Sequence, residues 1–307
     1  MHIAASLSGV FPVLATPFLP DGSPDAIGLD AIARYAVDAG VDGVVYPGVA
    51  SEYETLSLDE RARLLDIVAR ARGSAALIAG GSAPDAETTR AVMRQAQSLS
   101  AAALMVLAPR QATTADAVIA FYRSIASAGS VPIMLQNAPP PAGSGLPIDT
   151  VLRVVSEVPQ IAYVKEEAMP SGARISALLR GAPAHLRGVL GGAGGRYITD
   201  ELARGAVGTM PAVELAELHV ALFNAHRSGN RKAVRQWFNR MLPLLNMQAV
   251  FRMALTKEVL RRRGIVEHAI KRAAGPELDA GDHAELDELL GELVDVLHPP
   301  VIRGGPP

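Results

Sequence analysis

The feature that most constrains this chain is a repeated alternation of short apolar runs with longer helical segments. The runs are apolar at nearly every position rather than at every second position, which is what a parallel sheet covered on both faces requires. One helical segment, 58–71, is preceded by Ser57, and Glu60 follows three residues later, which is the spacing of a capping box. The runs cover residues 9–16, 40–47, 75–81, 102–108, 132–138, 161–167, 186–192 and 205–212.

Strands that alternate with helices form βαβ units, so the pattern predicts an α/β protein. About eight units in succession favour a (β/α)8 TIM barrel. An open doubly wound sheet is the alternative, but the first strand-to-helix turn, TPFLPDGSPD, lacks the G-x-G-x-x-G fingerprint. After about residue 228 helical segments follow one another with no strand between them. We therefore expect a barrel domain over 1–228 and a C-terminal helical domain over 229–307.

Composition excludes several classes of function. The 307 residues carry a formal net charge of −2, so the chain lacks the basic field that attracts nucleic acid or an acidic membrane surface. It has no cysteine, which excludes disulfides, thiolate nucleophiles and thiolate metal sites. No apolar run is long enough to span a membrane, and the N-terminal segment lacks the basic region of a signal peptide. We expect a cytoplasmic protein that binds neither membrane nor nucleic acid.

The run 161–167, in the stretch IAYVKEEA, ends in a lysine followed by two glutamates. Active-site residues of a TIM barrel lie at the carboxyl ends of the strands, which makes Lys165 a candidate. An amine in an apolar barrel mouth is desolvated, which disfavours its ammonium form, and a neutral amine attacks a ketone to form a Schiff base. Side chains alternate along a strand, so Glu167 points to the same side as Lys165, and Glu166 to the other. A lysine paired with a glutamate at the rim is the alternative, and position alone does not separate the two.

Five segments, in order along the chain, resemble the dihydrodipicolinate synthase / N-acetylneuraminate lyase family of class I Schiff-base lyases. The resemblance covers most of the chain and implies a TIM barrel, an imine on Lys165 and a small-molecule 2-keto acid substrate. It also implies a homotetramer built as a dimer of dimers. No cofactor or metal ion is expected, because imine chemistry needs neither. The five segments are GVFPVLATPFLPDGSPD, PGVASEYETLSLDER, VKEEA, LARGAVGTM and ALTKEVLRRRGI.

The chain departs from the family pattern at several functional positions. Gln136 stands where the tyrosine of the family's Y-N-x-P motif relays protons. Val49 and Ala50 stand where the hydroxyl residues of G-[TS]-T-G-E hold the keto acid's carboxylate, with Ser51 at the second glycine. The tyrosine that a neighbouring subunit lends falls near Gln111. The segment PPPAG contains no arginine, although true synthases use one there to hold the aldehyde's carboxylate. These departures argue against dihydrodipicolinate synthase activity.

The same positions resemble a branch of the family that includes 2-keto-3-deoxy-L-arabonate dehydratase, in which Q-D-A-P and S-E stand at the matching places. We therefore expect a dehydratase or aldolase of a 2-keto-3-deoxy sugar acid, with Lys165 as the imine former. Glu167 would move protons, and Gln136, which does not titrate, would orient the substrate or a water molecule. The candidate substrate-binding residues are Ser51, Ala50, Asn137, Gly192 and Arg110.

Three alternatives stay open at this point. Aldol cleavage uses the same imine as dehydration, and the sequence does not separate the two reactions. The chain can also be a 4-hydroxy-tetrahydrodipicolinate synthase or another pyruvate-dependent aldolase of the family. From another class, it can be a non-catalytic keto-acid-binding regulatory protein that has lost the proton relay.

Two further features have structural as well as functional interpretations. The motif GGAGG, residues 191–195, ends a predicted strand and opens a helix, where backbone amides favour anions. It is compatible with a tight βα turn or with a carboxylate contact. His219 and His226 lie seven residues apart on one face of a predicted helix, and we expect that face to lie at the surface.

Overall fold

The computed structural model describes residues 6–83 and 85–298. In this part of the chain, strands and helices alternate up to residue 227, and helices alone follow. The strands are β1 (Gly9–Val10), β2 (Gly43–Tyr46), β3 (Ala76–Gly80), β4 (Ala103–Leu107), β5 (Ile133–Asn137), β6 (Ile161–Glu166), β7 (Gly188–Gly191) and β8 (Gly208–Thr209). The helices are α1 (Ala26–Asp38), α2 (Leu58–Ala71), α3 (Ala86–Ser98), α4 (Ala115–Ala126), α5 (Ile148–Glu157), α6 (Ser171–Gly181), α7 (Ile198–Ala203), α8 (Ala216–Arg227), α9 (Arg231–Phe251), α10 (Met253–Arg262) and α11 (Ala280–Gly291). None of the helices described is long and apolar enough to cross a membrane.

All eight strands belong to one sheet, in the order β1-β8-β7-β6-β5-β4-β3-β2. The ladders from β3 through β8 are parallel. From β2 to β8 each strand therefore lies beside its neighbours in sequence, and β1 lies beside β8. This is the order of a (β/α)8 TIM barrel, so the predicted fold is confirmed and the open doubly wound sheet is excluded.

The first and last strands are shorter than predicted. The run 9–16 contains Pro12, which has no N–H to donate to a ladder, and β1 ends at Val10. Beyond it, Val13 forms isolated parallel bridges with Val45 and with Ala212. Inner strands such as β4 and β5 agree with the predicted runs to within one residue at each end, because every residue in them is buried and apolar packing sets their limits.

The chain divides into two compact units. The boundary that the sequence predicts near residue 228 follows the end of α8 and stays a prediction. One unit comprises Met1–Gly9, Ala76–Ala193 and Tyr197–Thr209, and the other comprises Val10–Ala75, Gly194–Arg196 and Met210–Pro307.

The predicted capping box at the start of α2 is present in the second unit. The Ser57 hydroxyl accepts the Glu60 amide at 3.1 Å, and the Glu60 carboxylate accepts the Ser57 amide at 2.8 Å. Arg272 donates to the same carboxylate at 2.8 Å. Its hydrogen bond, outweighing burial, lowers the pKa of Glu60 to about 2. One carboxylate thus caps a helix and anchors the irregular segment that follows α10.

A buried ion pair ties α10 to the segment after β2. Lys257 is 1% exposed and contacts the Glu52 carboxylate, which also accepts the backbone amides of Arg272 and Ala273 at 2.8 and 2.6 Å. The Lys257 ammonium lies 4.1 Å from the centre of the Phe18 ring. Burial lowers the pKa of Lys257 to about 8. The segment ALTKEV, one of the family-like motifs, therefore fixes the residue that follows Ser51.

The expectation that His219 lies at the surface is wrong. His219 is 1% exposed, because its face of α8 is buried, and its Nδ1 lies 2.9 Å from the Leu215 carbonyl oxygen. Burial lowers the pKa of His219 to about 4, so the ring is uncharged near neutral pH. The histidine is therefore a packing residue, and its ring lies against the turn after β7, where a Cβ atom on Gly195 would lie 2.4 Å from its Nε2.

A second buried acid, Glu214, lies in a short 3-10 turn after β8 and is 2% exposed. Burial raises the pKa of Glu214 from 4.5 to about 7. A carboxyl whose pKa is higher in the folded protein than in the unfolded chain stabilises the fold. This stabilisation is fully present at pH values below the pKa of the unfolded chain. That contribution is lost as the pH rises through the folded pKa.

The substitution Glu214→Gln should remove this pH dependence, because glutamine keeps the size of the side chain and cannot ionise. Between about pH 5 and about pH 8 the wild type should lose about 3 kcal/mol of unfolding free energy relative to the variant. Urea unfolding at the two pH values measures the difference. Equal pH dependence in both proteins would show that Glu214 does not titrate in this range.

Candidate active site

The ends of β5 and β6 bring an amide and an amine side by side. Gln136 and Lys165 are register partners in the parallel ladder, and they are 3% and 4% exposed. On the other side of β6, Lys165 is paired with Leu190 of β7. The lysine is thus flanked by strands on both sides and is almost closed off from solvent.

The Glu167 carboxylate is held by three groups. Its Oε1 lies 3.2 Å from the Lys165 Nζ and accepts the Ala193 amide at 3.1 Å. Its Oε2 accepts the Gln136 side-chain amide at 2.7 Å. Three of the residues that the sequence singled out, Lys165, Glu167 and Gln136, therefore form one cluster, as strand alternation predicts for the first two.

Two opposing effects set the charge of Glu167. Burial raises the pKa of its carboxyl, but the Lys165 ammonium and the hydrogen bonds from Gln136 and Ala193 outweigh burial. The pKa of Glu167 therefore lies below its usual value, and the group is a carboxylate near neutral pH. It is prepared to accept a proton rather than to donate one.

The GGAGG motif supplies space and one donor to this cluster. A Cβ atom on Gly192 would lie 2.5 Å from Glu167 Oε1, so only glycine leaves room for the carboxylate. Ala193 has a positive φ of 50°, and its amide points at Glu167. The anion that the turn binds is thus the protein's own Glu167. A contact between Gly192 and a substrate carboxylate stays a prediction.

Asn137 lies on the opposite face of β5, beside Glu166. Its side-chain amide donates to the Leu146 carbonyl oxygen at 3.1 Å and to Glu166 at 2.9 Å, and its Oδ1 accepts the Leu146 amide at 2.8 Å. Arg174 completes this network through Glu166 at 3.1 Å. A substrate contact from Asn137, which stays a prediction, would have to replace one of these bonds.

Arg110 is an exposed residue of the loop after β4. Its guanidinium donates to the carbonyl oxygen of Pro141 and, at 3.5 Å, to that of Ala142. These bonds link two loops that follow neighbouring strands. The predicted role of Arg110 in binding a substrate acid stays a prediction.

Ala50 and Ser51 belong to the second unit and form a 3-10 turn after β2. The Ser51 hydroxyl donates to the Leu14 carbonyl oxygen at 2.5 Å and accepts the Gly48 amide at 2.9 Å. Thr16 donates to the Ser51 carbonyl oxygen at 2.7 Å. The serine hydroxyl is therefore used in holding the turn, and a substrate carboxylate contact at Ala50 and Ser51 stays a prediction.

Sequence reasoning missed Glu201, which lies on α7 and is 1% exposed. Its carboxylate accepts the Ser171 hydroxyl at 2.7 Å. The sequence contained a pattern that could have singled out this residue, because Glu201 is spaced three residues from Ile198 and one from Leu202 on the buried face of a short helix. A charged residue on such a face needs a physical reason.

Comparison with known proteins identifies the family. The Dihydrodipicolinate synthetase family matches residues 6–292. A 4-hydroxy-tetrahydrodipicolinate synthase of Stenotrophomonas maltophilia is 30% identical over 295 residues, which cover 94% of this chain and 97% of that protein. An L-2-keto-3-deoxyarabonate dehydratase of Azospirillum brasilense is 28% identical over 284 residues, which cover 91% and 92%.

The structural comparison agrees. A crystal structure of a dihydrodipicolinate synthase from Rhodopseudomonas palustris superposes with a TM-score of 0.86 at 25% identity and covers 94% of this chain and 98% of that one. The expected enzyme class is confirmed with the family, because its members are lyases that act through Schiff-base chemistry. Since the match spans nearly the whole chain, the protein belongs to the dihydrodipicolinate synthetase family.

Proposed function

We propose that the protein dehydrates a 2-keto-3-deoxy sugar acid through an imine on Lys165. The observation that carries this proposal is the 3.2 Å contact between Lys165 Nζ and Glu167 Oε1. It supports the proposal because an amine and a carboxylate this close together can act on adjacent carbon atoms of one substrate. The relative named as an L-2-keto-3-deoxyarabonate dehydratase supports the choice of substrate class.

The first stage forms the imine. The Lys165 ammonium first passes one proton to the adjacent Glu167 carboxylate, and the resulting amine attacks C2 of the keto acid. The attached nitrogen then gives its surplus proton to the C2 oxygen, which forms the carbinolamine. The carbinolamine hydroxyl takes the proton that Glu167 holds and leaves as water. The resulting iminium cation attracts electrons from C3.

The second stage removes water from the sugar acid. Glu167 takes a proton from C3, which gives an enamine, and the enamine expels the C4 hydroxyl. The leaving hydroxyl takes the proton that Glu167 holds, and it departs as water. A second water then hydrolyses the conjugated iminium and frees Lys165, so that the net reaction is the loss of one water.

Gln136 has a supporting role in this scheme. An amide does not titrate, so it cannot replace the proton relay of the family's tyrosine. Its hydrogen bond at 2.7 Å instead fixes one oxygen of Glu167 and helps to keep the carboxylate ionised. The proton transfers of both stages therefore fall to Glu167.

A second candidate is an aldol reaction on the same imine. The 30% identical relative named as a 4-hydroxy-tetrahydrodipicolinate synthase supports it. In that case the bond between C3 and C4 forms or breaks, and pyruvate is one of the partners. Without a titrating hydroxyl at position 136, Glu167 would again carry the proton transfers.

The imine assignment predicts a covalent adduct on one lysine. Borohydride added with pyruvate should attach a reduced pyruvate to Lys165, and the variant Lys165→Arg should give none. Arginine keeps a cation beside Glu167, but its guanidinium does not lose its proton and is no nucleophile. Peptide mass spectrometry locates the adduct, and Lys257, the other buried lysine, is the internal control. Wild-type protein without an adduct on Lys165 would sink the imine hypothesis.

The proton-transfer assignment predicts a split between imine formation and turnover. Glu167→Gln should form the borohydride adduct more slowly but still form it on long incubation, and it should lower kcat by roughly 100-fold to 10,000-fold, because the base is lost while the new amide oxygen still accepts one of the two hydrogen bonds. Trapping in the same preparation is the control for folding and substrate entry. Turnover at the wild-type rate would remove Glu167 from its role.

Dehydration and aldol cleavage give products with different numbers of carbon atoms, so the proposed dehydration predicts that the product keeps them all. Incubated with a panel of 2-keto-3-deoxy acids, the enzyme should give a product that has lost one water and kept every carbon atom. Mass spectrometry of the mixture measures this, and a lactate dehydrogenase assay measures pyruvate. Release of pyruvate with an aldehyde, and no dehydrated product, would favour the aldol reaction instead.

A further inference from the structure

Two adjacent glycines at the end of β7 each leave room for one carboxyl group. A Cβ atom on Gly191 would lie 1.9 Å from Glu201 Oε2, and a Cβ atom on Gly192 would lie 2.5 Å from Glu167 Oε1. Neighbouring residues of an extended chain direct their side chains to opposite faces. The glycine pair therefore separates two buried carboxyls, with Glu167 on one face and Glu201 on the other.

The two carboxyls have different partners. Glu167 has a cation and two amide donors, whereas Glu201 has one neutral donor, the Ser171 hydroxyl, at 2.7 Å from Oε1. Oε2 of Glu201 is buried and accepts no hydrogen bond from any residue that the structure describes. A buried charge with so few partners is unstable, so the geometry favours the uncharged form of Glu201.

The two carboxylates near Glu201 also favour its uncharged form, whereas the Lys165 ammonium opposes them. Lys165 and Glu167 face it from the end of β6, Ser171 faces it from α6, and Asp200 lies beside it on α7. Burial raises the pKa of Glu201 to about 7, and the negative charges of Glu167 and Asp200 add to that effect. Two acids whose environments move their pKa values apart are typical of sites that divide acid and base roles.

We propose that Glu201 is a positioning residue that controls substrate binding through its charge state. While its carboxyl is uncharged, the Lys165–Glu167 pair has no second negative charge beside it. The inference rests on the proposed function and adds to it a control of keto acid binding. When Glu201 ionises, two carboxylates stand on either side of the glycine pair. An anionic 2-keto acid is then repelled from the lysine that it must reach.

The test follows the binding of pyruvate, as a probe, over a pH series. Cyanoborohydride trapping at several pyruvate concentrations, read by intact-protein mass, gives an apparent affinity at each pH. In the wild type this affinity should weaken on the order of tenfold between about pH 6 and about pH 8.5, as expected for one added charge nearby. In Glu201→Gln the affinity at the lower pH should stay within about twofold of the wild type, and its decline above neutral pH should be strongly reduced.

Two further variants separate this effect from a loss of structure. Ser171→Ala removes the hydrogen bond that stabilises the ionised form of Glu201, so the decline in affinity should move to higher pH rather than disappear. Glu214→Gln removes another buried carboxyl of similar pKa in the other unit and should leave the wild-type profile unchanged. A general weakening of the fold would not move the pH profile in these different ways.

The outcomes are distinct. Adduct formation with the same pH dependence in the wild type and in Glu201→Gln would overturn the positioning role and leave the proposed function standing. No adduct in the wild type at any pH would overturn the proposed function, and this inference with it. Loss of the decline in Glu201→Gln and its upward shift in Ser171→Ala would support the role.

Discussion

The pairing of the Lys165 amine with the Glu167 carboxylate is the interaction on which the rest of the site depends. Two charges taken out of water cost more free energy than their attraction returns unless further hydrogen bonds satisfy them. Here Gln136 and Ala193 supply those bonds, one to each carboxylate oxygen. The Glu167 carboxylate can thus stay charged in a place that is nearly closed to solvent, and in the proposed reaction a proton passes directly between the two side chains.

The departures from the family pattern are consistent with this pair as the working unit. A tyrosine at position 136 would offer its own proton, whereas Gln136 offers only a fixed donor. The glycines of the β7 turn then have two uses, because Gly192 admits Glu167 and Gly191 admits Glu201. A motif that looked like a simple tight turn is better explained by the two carboxyl groups packed against it.

The buried glutamates of this protein show how hydrogen-bond and ion-pair partners set the charge of a carboxyl group. Glu52 contacts Lys257 and accepts two backbone amides, so that its charge is balanced by neighbours. Glu201 and Glu214 lack a comparable set of donors, and burial raises the pKa of each to about 7. The first arrangement holds a loop in place, and the second gives the protein groups whose charge changes near neutral pH.

The sequence alone determined the fold class, most of the inner strand limits and the position of Lys165, because these follow from local periodicity and from residues close together in the chain. Alternation along one strand also placed Glu167 beside the lysine. Gly191, Ser171 and Glu201, in contrast, come from β7, α6 and α7, and no local pattern relates them. The burial of His219 was missed for the same reason. Only the tertiary structure decided which groups share the space behind the β7 turn, because charge and proton affinity depend on neighbours in space rather than in sequence.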